Sequence, residues 1–310
     1  MAFLKWLESL RTPFFDTFFS LITKSGEEFV LILIAMILLW CVNKKNGFYL
    51  LFVGFFGLFI NQFIKITARV PRPWVKDPTF TIVESARDMA TGYSFPSGHT
   101  QISVGLYGAL ARIFRPVWFR IICIVLAGLI AFSRLYLGVH TPADVLISTA
   151  CALVLVFVFY PLIERNFDNI KRMNILFAAA SAFGIAFVLY VSLYPFPADT
   201  DLTNLKDAVK NAYTLLGLIL GMWIGYLMDK KVIHYDTDAI WWAQLIKVVG
   251  GVVVFMGLRI ALKALLPILF GQHPVVDGIR YFLTVSVVMG IWPMIFRFFP
   301  KSKKKNLRVR

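Results

Sequence analysis

About nine stretches of this chain are apolar for long enough to cross a bilayer, and nothing constrains its fold more. They run over 27–43, 47–66, 99–114, 118–136, 144–163, 174–194, 210–229, 242–265 and 277–299. A helix rises 1.5 Å per residue, so about twenty apolar residues match a hydrocarbon core of ~30 Å. The first and third runs are short by that measure. Lipid offers no hydrogen-bond partners, so each run must satisfy its own backbone, which an α-helix does. The expectation is an all-α, polytopic membrane helical bundle. Composition agrees: 59% of residues are hydrophobic and the mean hydropathy is +0.74, more than a soluble domain can bury.

Ahead of the first run, Trp6, Leu7, Leu10, Phe14, Phe18 and Leu21 recur on a helical period among Glu8, Arg11 and Asp16. This predicts an N-terminal amphipathic interfacial helix over 1–26, re-set at Thr12-Pro13. No cleavable signal is expected there. The formal net charge is +15, but the basic residues gather at the ends of apolar runs and in the tail. That distribution marks membrane flanks and excludes a nucleic-acid footprint. Lys44-Lys45, Arg112 with Arg115 and Arg120, Lys171-Arg172, Lys230-Lys231 and the tail (Lys301, Lys303, Lys304, Lys305, Arg308, Arg310) all fall on one side if the spans alternate. By the positive-inside rule that side, with the C-terminus, is cytoplasmic. The breaks at 67–98 and 137–143 then face outward. Cys41, Cys123 and Cys151 lie within apolar runs and read as small buried hydrophobes.

Three polar stretches interrupt this pattern. Lys65 ends the second run one turn after Asn61, and Arg72 follows between Pro71 and Pro73. A lysine supplies a mobile point charge and an arginine a planar fork matching phosphate oxygens, although interfacial snorkelling would also place basic residues here. In Pro96-Ser97-Gly98-His99, Ser97 can cap a helix whose first amides then favour an anion, with His99 on the rim. Ser133-Arg134 closes the fourth run and His140 follows. Thr141-Pro142 opens the fifth, with Asp144 at the third helical position. Asp144 completes an ordinary capping box, or reaches back to hold the His140 imidazole in one tautomer; the two roles are compatible.

Taken together, Lys65-ITARVP-Arg72-Pro73, Pro96-Ser97-Gly98-His99 and Ser133-Arg134-LYLGV-His140-TPA-Asp144 resemble the PAP2 (type 2 phosphatidic acid phosphatase) superfamily at every motif position, in order and spacing. The resemblance covers roughly 20–165 and implies a PAP2-like catalytic transmembrane core over 27–165. Additional transmembrane helices without a recognised motif are then expected over 166–300, and a basic cytoplasmic tail over 301–310. It also implies a two-step reaction without metal or cofactor. His140 is the nucleophile, oriented by Asp144; His99 is the general acid and then the base. Lys65, Arg72, Ser97, Gly98 and Arg134 hold the phosphate. The residues agree on one point independently: no His/Asp/Glu cluster sits at metal-ligand spacing.

The expected substrate is a lipid phosphate monoester or an isoprenoid pyrophosphate, hydrolysed at the outer face of a bacterial-type plasma membrane. The near alternative is a lipid phosphotransferase using the same phosphohistidine. The alternative from another class is a transporter, which leaves the convergence of two histidines and three cations unexplained. Gly217, Gly221 and Gly225 give one smooth helix face, suited to packing within the chain or to a homodimer seam. His234 and His273 read as loop residues. The pairs Asp199/Asp201 and Asp236/Asp238 are too common to mark metals. Arg259 and Lys263 either snorkel or line a polar cavity.

Overall fold

The computed structural model describes residues 1–302, so most of the basic tail (Lys303, Lys304, Lys305, Arg308, Arg310) lies outside the described residues. Twelve α-helices make up most of the chain: α1 (Ala2–Ser9), α2 (Pro13–Lys24), α3 (Glu28–Ile37), α4 (Lys44–Ala68), the short α5 (Pro73–Lys76), α6 (Gly98–Ile113), α7 (Val117–Tyr136), α8 (Pro142–Asn166), α9 (Ile170–Leu193), α10 (Leu202–Met228), α11 (Trp241–Phe270) and α12 (Pro274–Ser286). No strand occurs among the described residues.

Among those residues, seven helical segments are long and apolar enough to cross a membrane. An eighth appears if α2 and the helix over Glu28–Val42, bent by 45° at their junction, form one broken span. The count of nine is therefore not reproduced, and the two runs that fall short are the two shortest. The run at 99–114 folds as α6, only 16 residues long. The run at 27–43 becomes one arm of the bent pair. These helices turn their apolar faces outward: in α11 only 11% of the most apolar window is buried within the protein. A soluble fold cannot leave that surface in water, so the protein is an integral membrane protein.

The chain divides into two compact units. The first comprises Met1–Ile32, Tyr49–Glu164 and Leu189–Asn211. Here α6 and α7 pack side by side, and α2 and α1 lie against α7. The N-terminal segment breaks where its Thr-Pro pair predicts: Thr12 caps α2, accepting from the Phe15 amide. Its inward residues are Leu4, Leu7, Phe19 and Thr23, while Trp6, Phe14 and Leu21 are exposed. Arg11 ties this segment down, donating to the carbonyls of Tyr136 and Thr81. It passes over Gly138, where φ is +81° and a Cβ would sit 2.6 Å from the Arg11 guanidinium. Glycine is required there on both counts.

The second unit comprises Leu33–Phe48, Arg165–Val188 and the chain from Ala212 onward. The stripe of Gly217, Gly221 and Gly225 is occupied inside it. Cβ atoms at these positions would meet the Gly278 carbonyl oxygen at 2.1 Å, the Val285 side chain at 2.8 Å and the Met289 side chain at 2.5 Å. The small residues let α10 and the helix beginning at Pro274 touch backbone to backbone, which leaves no smooth face for a homodimer seam. Lys247 is fully buried, its ammonium donating to the carbonyls of Trp40, Asp236 and Thr237. His273 caps α12; in the first unit, Asp201 accepts from the Asn204 amide at the start of α10. Arg259 and Lys263 are exposed along α11, on the snorkelling reading of the two.

Candidate active site

Helix geometry brings the three polar stretches to one level. The turn 114–116 joins α6 to α7 and makes them antiparallel neighbours. Measured from that turn, the 16 residues of α6 rise about 24 Å, and Val117 to Arg134 rises about 27 Å. The N-terminus of α6 and Arg134 near the C-terminus of α7 therefore arrive at similar height. The chain then folds back over its own helix end: the amides of Val139 and His140 both donate to the Arg134 carbonyl at 3.2 Å. Two further bonds stitch the stretches together. The Ser97 amide donates to the Asp144 carbonyl at 3.2 Å, and Asn61 Nδ2 donates to the Pro96 carbonyl at 3.3 Å.

At the start of α6, Ser97 is the N-cap and its Oγ accepts from the Thr100 amide. The amides of Gly98 and His99 stand in the first turn, where no intrahelical acceptor exists. No side chain at Gly98 covers them, so the helix end offers an anion two donors and the positive end of its dipole. His99 Nε2 is buried and has no hydrogen-bond partner among the described residues.

His140, Asp144 and Arg134 are buried to 2%, 1% and 0% exposure. Asp144 Oδ2 accepts from the Thr141 amide at 2.8 Å, from Ser94 Oγ at 2.5 Å and from His140 Nδ1 at 3.3 Å. Thr141 Oγ1 accepts in turn from the Asp144 amide. The capping box and the grip on the imidazole thus coexist in one carboxylate. With Nδ1 donating to Asp144, Nε2 carries the lone pair, and Arg72 Nη1 donates to it at 3.0 Å. Burial first, and then the Arg72 guanidinium, holds the His140 imidazole neutral, well below its ordinary range, against the opposing pull of Asp144.

The three cations behave differently. Arg72 is committed to the protein, donating also to the carbonyls of Gly92 at 3.0 Å, Val139 at 2.9 Å and Thr91 at 2.6 Å. Arg134 spends Nη1 on Thr23 Oγ1 at 2.8 Å and leaves Nε and Nη2 buried without partners among the described residues. Lys65 has no hydrogen bond or ion pair among the described residues, and its charge reaches His140. Buried polar groups need partners, so the Arg134 guanidinium with His99 beside the helix end suits an anion with several oxygens. Ser133, by contrast, turns back to the Ile130 carbonyl of its own helix.

Two residues here escape sequence reading. Ser94 holds Asp144 from a position fifty residues earlier, and Thr23 reaches Arg134 from the N-terminal helix. No spacing rule links either to its partner; only the place of Ser94 two residues before the Pro-Ser-Gly-His stretch is a hint. Among the described residues no group of three or more His, Cys, Asp or Glu side chains converges to hold a metal.

Comparison with known proteins bears on the same residues. The PAP2 superfamily profile matches residues 46–168, and the profile described as PAP2 superfamily phosphatase, transmembrane extension, matches 213–304. The second match covers helices in which the sequence offered no motif. Undecaprenyl-diphosphatase BcrC of Bacillus subtilis (strain 168) is 32% identical over 139 residues, 43% of this chain and 69% of that protein. An undecaprenyl-diphosphatase of Sulfolobus acidocaldarius is 32% identical over 127 residues, 40% of this chain and 59% of its own. Mouse (Mus musculus) sphingosine-1-phosphate phosphatase 1 is 25% identical over 224 residues, 68% of this chain and 48% of its own. No solved structure gives a significant match. The motifs, their convergence and both profile matches carry the same conclusion: the chain belongs to the PAP2 superfamily of phosphatases.

Proposed function

We propose that this protein hydrolyses a lipid phosphate monoester or isoprenoid diphosphate through a phosphohistidine formed on His140, at the extracytoplasmic face of its membrane. The observation that carries the reading is the set of buried polar atoms without a partner among the described residues, His99 Nε2 with Arg134 Nε and Nη2, beside the imidazole of His140, whose far nitrogen is held by Asp144.

The phosphate oxygens fit against Arg134, Lys65 and the amides of Gly98 and His99, where charge builds in the transition state. Arg72 Nη1 leaves His140 Nε2 for the same oxygens. The Nε2 lone pair then bonds to phosphorus as the ester P–O bond breaks. His99, carrying a proton, gives it to the departing oxygen. Asp144 stabilises the positive charge on the imidazole ring. In the second step His99 takes a proton from water, the oxygen bonds to phosphorus, the N–P bond breaks and inorganic phosphate leaves.

The lipid assignment rests on depth. An anion site about 24–27 Å above the turn at 114–116 lies near one boundary of a hydrocarbon core of ~30 Å, where head groups sit. The relatives named above act, by their names, on undecaprenyl diphosphate and sphingosine 1-phosphate.

The test is phosphate release by purified protein in detergent from phosphatidate, sphingosine 1-phosphate and undecaprenyl diphosphate, with no acceptor alcohol added. Turnover is expected, abolished by His140→Ala and inhibited by vanadate. It should survive excess EDTA, because Lys65 and Arg134 supply the positive charge. Release that requires an acceptor would make the protein a phosphotransferase. Full activity in His140→Ala would overturn the mechanism.

A further inference from the structure

Next to the phosphate cage, and sharing Lys65 with it, lies a cavity of about 70 Å³. We propose that it is the head-group subsite and accepts a hydrogen-bond donor, a hydroxyl or amine carried on the alcohol side of the phosphate ester. This assignment rests on the lipid phosphatase reading above and narrows it.

One wall is α4, through Gln62 and Lys65. The facing wall is the first three turns of α10, where Asn204, Asp207 and Asn211 line the cavity. Their spacings of three and four put them on one helical stripe. A third side is the Thr91–Tyr93 turn, whose first two carbonyls anchor Arg72. That turn is fixed to α10: Tyr93 Oη accepts from the Asp201 amide at 3.2 Å, and Gly92, with φ +67°, lies under Asn204. The subsite is therefore referenced to the same turn that positions Arg72. A group on the substrate next to its phosphate would fall within reach.

The lining chemistry selects the group. The side chains of Gln62, Asn204, Asp207 and Asn211 make no hydrogen bond or ion pair among the described residues, so their capacity is unspent. They bring three amides, each with an oxygen acceptor and an NH2 donor, and one carboxylate, against Lys65 as the one cation among the described lining residues. A second phosphate would meet Asp207 without a further positive charge; a hydroxyl or ammonium would meet acceptors. The stripe at 204–211 also falls between the two family matches, which end at 168 and resume at 213. It is set by this chain and not by the family motifs, as a specificity element would be.

The experiment compares kcat/KM for sphingosine 1-phosphate and 1-acyl lysophosphatidate, which carry donors near the phosphate, with an unsubstituted alkyl monophosphate of equal tail length. The wild-type ratio is expected to favour the donor-bearing substrates by about tenfold, the worth of one hydrogen bond to a charged acceptor. Asp207→Asn should bring the ratio near one, and Asn211→Leu, which fills the cavity, should lower it independently. A wild-type ratio at or below one overturns the assignment, as does a ratio that survives both substitutions. Either result leaves the phosphatase reading intact, provided His140→Ala is inactive. Absence of phosphate release from every lipid by the wild type would sink both.

Discussion

At the scale of single residues, Asp144 is the hub, one buried oxygen serving a backbone amide, a serine and an imidazole. Ser94 touches Asp144 rather than the phosphate cage, so it is a positioning residue. Ser94→Ala removes one bond to a buried carboxylate, an interaction of about 1.5–3 kcal/mol. It should lower kcat about tenfold while leaving KM within twofold. Equal changes in both parameters would place Ser94 against substrate instead. His140 gives a second prediction with a defined sign. Its folded pKa lies well below the ordinary 6.5, so under acid conditions the unfolded chain binds a proton that the buried ring refuses. Its contribution to stability is full above about pH 6.5 and declines as pH falls, by at most about 1.4 kcal/mol per pH unit. Melting temperature in detergent should drop between pH 7 and pH 5. The drop should be smaller in His140→Gln, which carries no titrating group; an equal drop would assign the effect elsewhere.

At the scale of elements, the motif residues were legible because helix ends announce themselves locally. Ser97 caps α6, and Thr141 with Asp144 boxes the start of α8, as a capping rule reads them. What the sequence conceals is contact across distance. Nothing local says that Ser94 serves Asp144, that Thr23 serves Arg134, or that Lys247 is buried to bind three carbonyls rather than to snorkel. Small-residue stripes share this ambiguity, since the same glycines suit a neighbour in the chain or a second copy. Here the neighbour is the helix beginning at Pro274, and a Cβ at Gly221 would meet both the Val285 side chain and the Phe282 carbonyl, the latter at 2.9 Å. Gly221→Leu must therefore separate two backbones rather than crowd one side chain. It should destabilise by about 3 kcal/mol or more, read as a lower melting temperature. Changed oligomeric state with unchanged melting would argue for a seam between copies.

At the scale of the whole molecule, run lengths carried most of the architecture, and the errors fell where length is a weak guide. A 16-residue helix such as α6 fails a length test, yet the proposed topology needs it to cross. If α6 did not cross, the turn at 114–116 would share a side with the 77–97 segment, and Arg112, Arg115 and Arg120, with every later basic flank, would part from Lys44-Lys45. Ion pairs within the second unit bear on the same point. Asp168, in the α8–α9 connector, binds Lys45 at 3.0 Å and Lys230 at 2.8 Å, while Lys44 binds Asp229 at 2.7 Å. The connectors before α4, after α8 and after α10 therefore meet at one face, as alternating spans require, and the positive-inside expectation takes that face as the cytoplasmic one. On the proposed topology the outer side receives the 77–97 segment, which contains Ser94 and leads into the Pro-Ser-Gly-His turn. Exposed Arg87 and exposed Lys231 report on the two sides. In a background with Cys41, Cys123 and Cys151 replaced by alanine, a membrane-impermeant maleimide should label Arg87→Cys in intact cells. Lys231→Cys should react only after the membrane is opened. Labelling of both in intact cells would mean that α6 does not cross, and the reverse pattern would place hydrolysis on the cytoplasmic side.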